Sequence, residues 1–208
     1  MASPDKLARI TWWLDIAAVV AYCLTAFFFW SLVDLVTPFG APFLWLPVVA
    51  LALAALVASM VLVFRRWKTR LIASLMPFAF LAACFVLAGF VDFTAIWLSA
   101  DFRLKRTDRE EVVRRISSGE FRPNVSHNKS LIALPKRFAS VSLGGGEVCV
   151  QRDGDKLKVL FYTFRGVLNP FAGFVYSSDG SAPKNGDFGG RIFINRNVGA
   201  QWYYISAR

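Results

Sequence analysis

The stretch from Ala41 to Phe64 reads APFLWLPVVALALAALVASMVLVF and contains no charged residue. A helix needs about 20 mostly apolar residues to cross about 30 Å of hydrocarbon. This segment meets that length, and reading it as a membrane span decides the fold class. Two neighbours repeat the pattern. Ile10 to Val36 holds Asp15 and Asp34 near its ends, with an uncharged run between them. Leu71 to Ser99 is interrupted only by Asp92. That third run is too long for a straight span. Either Pro77 opens the true helix, where its missing N–H costs nothing, or the helix is kinked and tilted.

The breaks between these runs are well marked. Thr37-Pro38-Phe39-Gly40-Ala41-Pro42 reads as a turn, and Arg65-Arg66-Trp67-Lys68-Thr69-Arg70 as a basic loop. Trp12, Trp13, Trp45, Trp67 and Trp97 fall near expected helix ends, where an aromatic belt belongs. The first run is too long for the apolar core of a cleavable signal, and no small-residue cleavage site follows it. Ala17, Ala21 and Thr25, then Ala50, Ala54 and Ala58, then Ala79 and Ala83 recur every fourth residue. Such stripes permit close helix approach, and packing within the chain is preferred to dimerisation.

Lys and Arg in short loops set orientation. Lys6 and Arg9 precede the first run, the first loop has no cation, and the second has four. This places the N-terminus in the cytoplasm and the C-terminal domain outside. Arg103, Lys105, Arg106 and Arg109 directly after the third run argue the other way, but long tails cross largely regardless of charge.

The whole chain has 208 residues, 56% hydrophobic, with a formal charge of +10. This excludes a disordered chain, and three Cys exclude a disulfide scaffold. The averages hide two unlike halves. Residues 101–208 hold 18 Lys/Arg against 10 Asp/Glu. Thr107-Asp108-Arg109-Glu110 reads as a capping box that opens a short helix, with Glu110–Arg114 and Glu111–Arg115 spaced as ion pairs and Gly119 as its stop. Beyond it the period becomes two. Strands are expected at 131–134, 138–143, 147–152, 157–165, 173–177, 191–195 and 201–205, with an Asp153-Gly154 hairpin. The expected architecture is therefore three transmembrane α-helices, followed by a small mainly-β soluble domain with one short N-terminal helix. The β part is an antiparallel sheet or a partly open barrel. Residues 1–100 form the anchor, 101–119 a juxtamembrane linker with the capped helix, and 120–208 the β domain.

Chemistry is sparse. His127 is the single His and sits in a polar loop between two Asn sequons, Asn124 and Asn128. Cys23, Cys84 and Cys149 lack metal-ligand spacing. Gly144-Gly145-Gly146 lacks the Lys-Ser/Thr of a phosphate loop. No cofactor or metal is expected. Two groups of residues stand out. Asp34 and Asp92 are intramembrane carboxylates that fall toward the same side, and carboxylates in lipid mark functional sites by default. Arg165, Tyr176 and Trp202 are candidates for a binding surface in an aromatic-rich sheet. Expected partners are the bilayer itself, a protein partner or second copy, and anionic head groups. Dispersed cations argue against nucleic acid. The leading expectation is a non-catalytic protein of the bacterial cytoplasmic membrane that presents an extracytoplasmic β domain to a partner or lipid surface. A transporter or channel subunit that uses Asp34 and Asp92 is the alternative, and a membrane-embedded enzyme ranks last.

Overall fold

A computed structural model of the chain describes residues 4–68, 70–126, 128–166 and 170–208. Two compact units divide at Leu98/Ser99. The first is a helical bundle of α1 (Pro4–Gly40), α2 (Leu46–Arg66) and α3 (Leu71–Gly89), with a 3-10 turn over Ala41–Trp45. The stretches Asp5–Val33, Ala41–Arg66 and Leu71–Gly89 are long and apolar enough to cross a membrane. The protein is thus a membrane protein by length and composition.

The bundle packs on small and polar residues. Ala18, Ala55 and Leu81 form its buried centre, with Leu14, Val19, Leu51 and Phe85 around them. Small residues at a crossing let backbones approach, which drives helix association where lipid is as apolar as Leu. The expected stripes lie beside this face. Ala17, Ala50, Ala54, Ala79 and Ala83 point outward. Spacing alone gave the right period but not the rotation of each helix. Pro77 lies inside α3 on its buried side, so the helix runs through it.

The third span also ends earlier than its composition implied. α3 stops at Gly89, and α4 (Phe93–Ser117) starts after a break at Phe90–Asp92. Asp92 makes this break. Its Oδ1 accepts the Ala95 N–H at 2.9 Å, satisfying one of the orphan donors at a helix start. Thr107 is therefore mid-helix, not a cap. Glu110, expected to reach back to it, is held by Arg106 at 2.8 Å. The Glu111–Arg115 pair forms as spaced, at 2.6 Å, and Gly119 lies just past the helix end with a φ of 76°.

The second unit is built on a six-stranded, fully antiparallel, open sheet. Its strands are β1 (Leu131–Ala133), β2 (Glu147–Asp153), β3 (Lys156–Arg165), β4 (Phe171–Ser177), β5 (Ile192–Gly199) and β6 (Trp202–Ala207), in the order β1-β2-β3-β4-β6-β5. The Asp-Gly signal forms the β2–β3 hairpin, with Gly154 at φ 57°. The segment expected as a strand at 138–143 is instead part of a 3-10 helix, Lys136–Val141. Phe138 and Val141 are both buried, three residues apart, and side chains at that spacing eclipse in a 3-10 turn. A short apolar run does not distinguish the two periods.

Both sheet faces carry rings because both are covered. One face aligns Ile132, Val148, Phe161, Phe174 and Tyr204 across the strands, with Val159, Tyr176 and Trp202 in an adjoining row. The polar half of α4 lies on it through Phe102, 4.9 Å from Phe174 and 5.5 Å from Trp202. The opposite face carries Leu131, Cys149, Leu160, Tyr162, Val175 and Ile205. Val125 and Phe188 from the connecting segments, and Ile192 at the start of β5, pack against it. At Gly173 the strands come so close that a Cβ would lie 2.1 Å from the Phe161 carbonyl oxygen. Only glycine fits there.

Candidate functional site

In the bundle, α1 turns Thr11, Asp15 and Ala18 onto its inner face, and all three are fully buried. α2 presents Ser59 to them, also fully buried. The Ser59 hydroxyl donates to Asp15 Oδ1 across 3.5 Å, a long and weak bond. Asp15 Oδ2 has no hydrogen-bond partner, and it is the single buried side-chain oxygen or nitrogen in that state among the described residues. Thr11 and Ser74 donate to backbone carbonyls one turn back on their own helices. Asp15 is therefore a lone carboxyl inside the bundle, with one weak partner.

The carboxylates singled out from the sequence lie elsewhere. Asp92 is exposed in the α3–α4 break and caps α4. The side chain of Asp34 lies outside the described residues, so the pairing expected between the two has no geometry here. Asp15, near the start of the first apolar run, is the buried one.

The β unit hides a carboxylate of a different kind. Asp101 is gripped by Arg109 and by Lys105, the latter at 2.6 Å. Arg109 is 1% exposed. Its Nε donates to the Val141 carbonyl at 3.1 Å, and its guanidinium lies 4.7 Å from the Phe174 ring centroid. Burial pulls the Arg109 guanidinium below its ordinary range, and the Asp101 charge and hydrogen bond oppose that pull. This cation joins α4, the 3-10 helix and the sheet. Sequence reading placed Arg109 in a juxtamembrane cluster and missed this role. The spacing of Asp101, Lys105 and Arg109 at four-residue steps along one helix was the available signal.

Arg165, Tyr176 and Trp202 do not form one groove. Trp202 is 2% exposed and packs on Phe102, Phe161 and Tyr176. Tyr176 is half-buried beside it. Arg165 pairs across the sheet with Phe171, at the far end of the strand from the Val159–Tyr176 pair. There it is held by Glu147 at 2.6 Å and stacks on Tyr162. The aromatic richness that suggested a surface serves the core.

Cys149 and Tyr162 are buried in the sheet. Burial pushes the Cys149 thiol up, and Tyr162 beside it is raised by burial as well. A polar hollow of about 180 Å³ is lined by Gln151, Asp153, Lys156, Lys158, Ser181, Lys184 and Asp187. Within it Lys158 binds Asp187 at 2.6 Å, and Gln151 accepts the Phe188 N–H at 3.1 Å. His127 lies outside the described residues. Among the described residues no group of three or more His, Cys, Asp or Glu gathers to hold a metal.

Comparison of the chain with protein-family models, with curated proteins and with solved structures gives no match.

Proposed function

We propose that the protein is a membrane-anchored, non-catalytic binding module. Three helices hold a basic, aromatic-rich β domain at a bacterial cytoplasmic membrane. The N-terminus is cytoplasmic and the β domain is outside, where it meets an envelope protein. What carries this reading is the use made of the domain's charged and polar side chains. Arg109 with Asp101, Lys158 with Asp187 and Arg165 with Glu147 are bound to one another. An active site needs an acid, base or nucleophile held ready for substrate, whereas these groups build a frame.

A frame of this kind offers its outer edge. β5 is the last strand of the sheet, with Phe193 62% exposed and Arg191 and Arg196 beside it. An extended, acidic segment of a partner matches that edge in shape and charge. A photo-crosslinker at position 193 tests the reading in cells. The expected product is a discrete adduct that Arg191→Glu with Arg196→Glu abolishes. A reporter fused at Arg208 that is active only in the cytoplasm overturns the stated orientation.

A second reading rests on Asp15. A carboxyl buried among spanning helices is costly and, by default, functional. In that reading the bundle handles a proton or a small cation, and the carboxyl doing so is Asp15. Asp15→Asn would then abolish ion-dependent behaviour of reconstituted protein while the fold persists.

A further inference from the structure

The two ends of the helical bundle differ in charge. At one end lie Lys6 and Arg9 of α1, Arg65 and Arg66 of α2, and Lys68 and Arg70 of the turn, against Asp5. Asp5 pairs with Arg66, at 2.7 Å. The other end of the bundle has no Lys or Arg from Ile10 to Phe64 or from Leu71 to Leu98. Arg9, Arg65, Lys68 and Arg70 are exposed, and none makes an ion pair among the described residues. Phe64, Arg65, Trp67 and Lys68 line an open hollow of about 480 Å³. Phe64 and Trp67 are 75% and 60% exposed there.

We propose that this hollow is a binding site for the head group of an anionic phospholipid. Its position follows from the span. Phe64 ends the uncharged run of α2, and Arg65 to Lys68 follow at once, at the level where hydrocarbon gives way to head groups. Trp favours that level because its ring is apolar and its N–H is polar. The Phe64 and Trp67 rings flank the upper acyl chain and glycerol. Arg65 at the end of α2 and Lys68 in the turn after it meet the phosphodiester, with the guanidinium supplying a planar fork of donors and the ammonium a point charge. A neutral zwitterionic lipid brings its own cation to an end of the bundle that already carries the exposed cations Arg9 and Arg70, and is disfavoured there. The inference depends on the helices crossing a bilayer and is independent of what the β domain binds.

The test uses the full chain reconstituted in phosphatidylcholine bilayers that contain a trace of spin-labelled lipid. The fraction of motionally restricted label is compared for phosphatidylglycerol and phosphatidylcholine. The expected result is a clear preference for phosphatidylglycerol. Arg65→Gln and Lys68→Gln should each reduce that preference, by up to about fivefold, the factor equivalent to about 1 kcal/mol per cation at an anionic surface. Lys136→Gln, an exposed cation in the β unit, should leave it unchanged. Circular dichroism of each variant checks that the fold is retained. Equal restriction of both lipids in the parent protein overturns the proposal, as does a preference that survives the double change. Saturable binding of inorganic phosphate to protein in pure phosphatidylcholine, with no lipid preference, assigns the hollow to a free anion instead.

Discussion

Among the described residues each unit of the molecule buries one carboxylate, and the two are treated in opposite ways. Asp101 in the β unit is met by an arginine and a lysine, and its arginine is in turn held by a carbonyl and a ring. Asp15 in the bundle is met by one serine hydroxyl across 3.5 Å, and its second oxygen has no partner. A buried charge that is fully paired is a structural element. A buried carboxyl that is barely paired is either a weak interhelical contact or a group kept for its chemistry. The difference separates what the β unit does with its polar residues from what the bundle does with its own.

The largest effect should come from removing the cation of the saturated pair. Arg109→Met leaves Asp101 buried with Lys105 alone, and breaking such a pair costs about 3–5 kcal/mol. Denaturant unfolding of the full chain, followed by the near-ultraviolet signal of its aromatic side chains, measures this. Arg109→Met with Asp101→Leu should recover most of the loss, because apolar replacement of a whole buried pair is often neutral. If the double variant is as unstable as the single one, the pair is not what holds α4 in the unit.

The next effect tests packing against pairing in the same unit. Gly173→Ala forces a methyl onto the Phe161 carbonyl oxygen and should cost about 1–3 kcal/mol by overpacking. In the bundle the corresponding changes should be smaller. Ser59→Ala removes the one partner of Asp15 and is expected to cost about 0.6 kcal/mol, the average for hydrogen bonds between spanning helices. Asp15→Leu should leave the bundle at least as stable, as read by thermal aggregation in detergent. A loss from Asp15→Leu as large as that from Arg109→Met would make both carboxylates structural and remove the basis of the ion-handling reading.

Much of this arrangement is written in the sequence, and the parts that are not share a physical cause. The uncharged run 41–64 identifies a span by composition alone, and alternation with turn residues locates six strands. What composition does not carry is rotation. Asp15 and Asp92 look alike in a list of carboxylates within apolar runs. Asp15 faces inward because Thr11 and Ala18, four and three residues away, share its side of the helix. Asp92 is exposed because it follows Gly89 and caps a new helix. The same gap explains Trp202 and Arg109. An aromatic-rich strand reads as a surface until a helix is known to lie over it, and a cation beside a membrane reads as lipid-facing until a sheet is known to cover it.

The smallest effect concerns ion pairs that are exposed rather than buried, on the outward side of α4. Hydrogen bonds from Arg114 and Arg115 hold the Glu111 carboxyl down at about 2, against an ordinary 4.5. A carboxylate whose folded value lies below its unfolded one stabilises the fold above the unfolded value. That contribution is lost as pH falls through the folded one. Stability should therefore slip between about pH 4.5 and pH 2. The slip should be slight, because exposed pairs are screened by water and salt. Glu111→Gln should flatten this segment of the stability–pH curve, and added salt should shrink the difference between the two proteins. The Arg109–Asp101 pair sits out of solvent on the other side of the same helix, so the cost of breaking it should barely respond to salt. Measuring Glu111→Gln and Arg109→Met across the same salt series therefore distinguishes charge that holds the β unit together from charge that only decorates it.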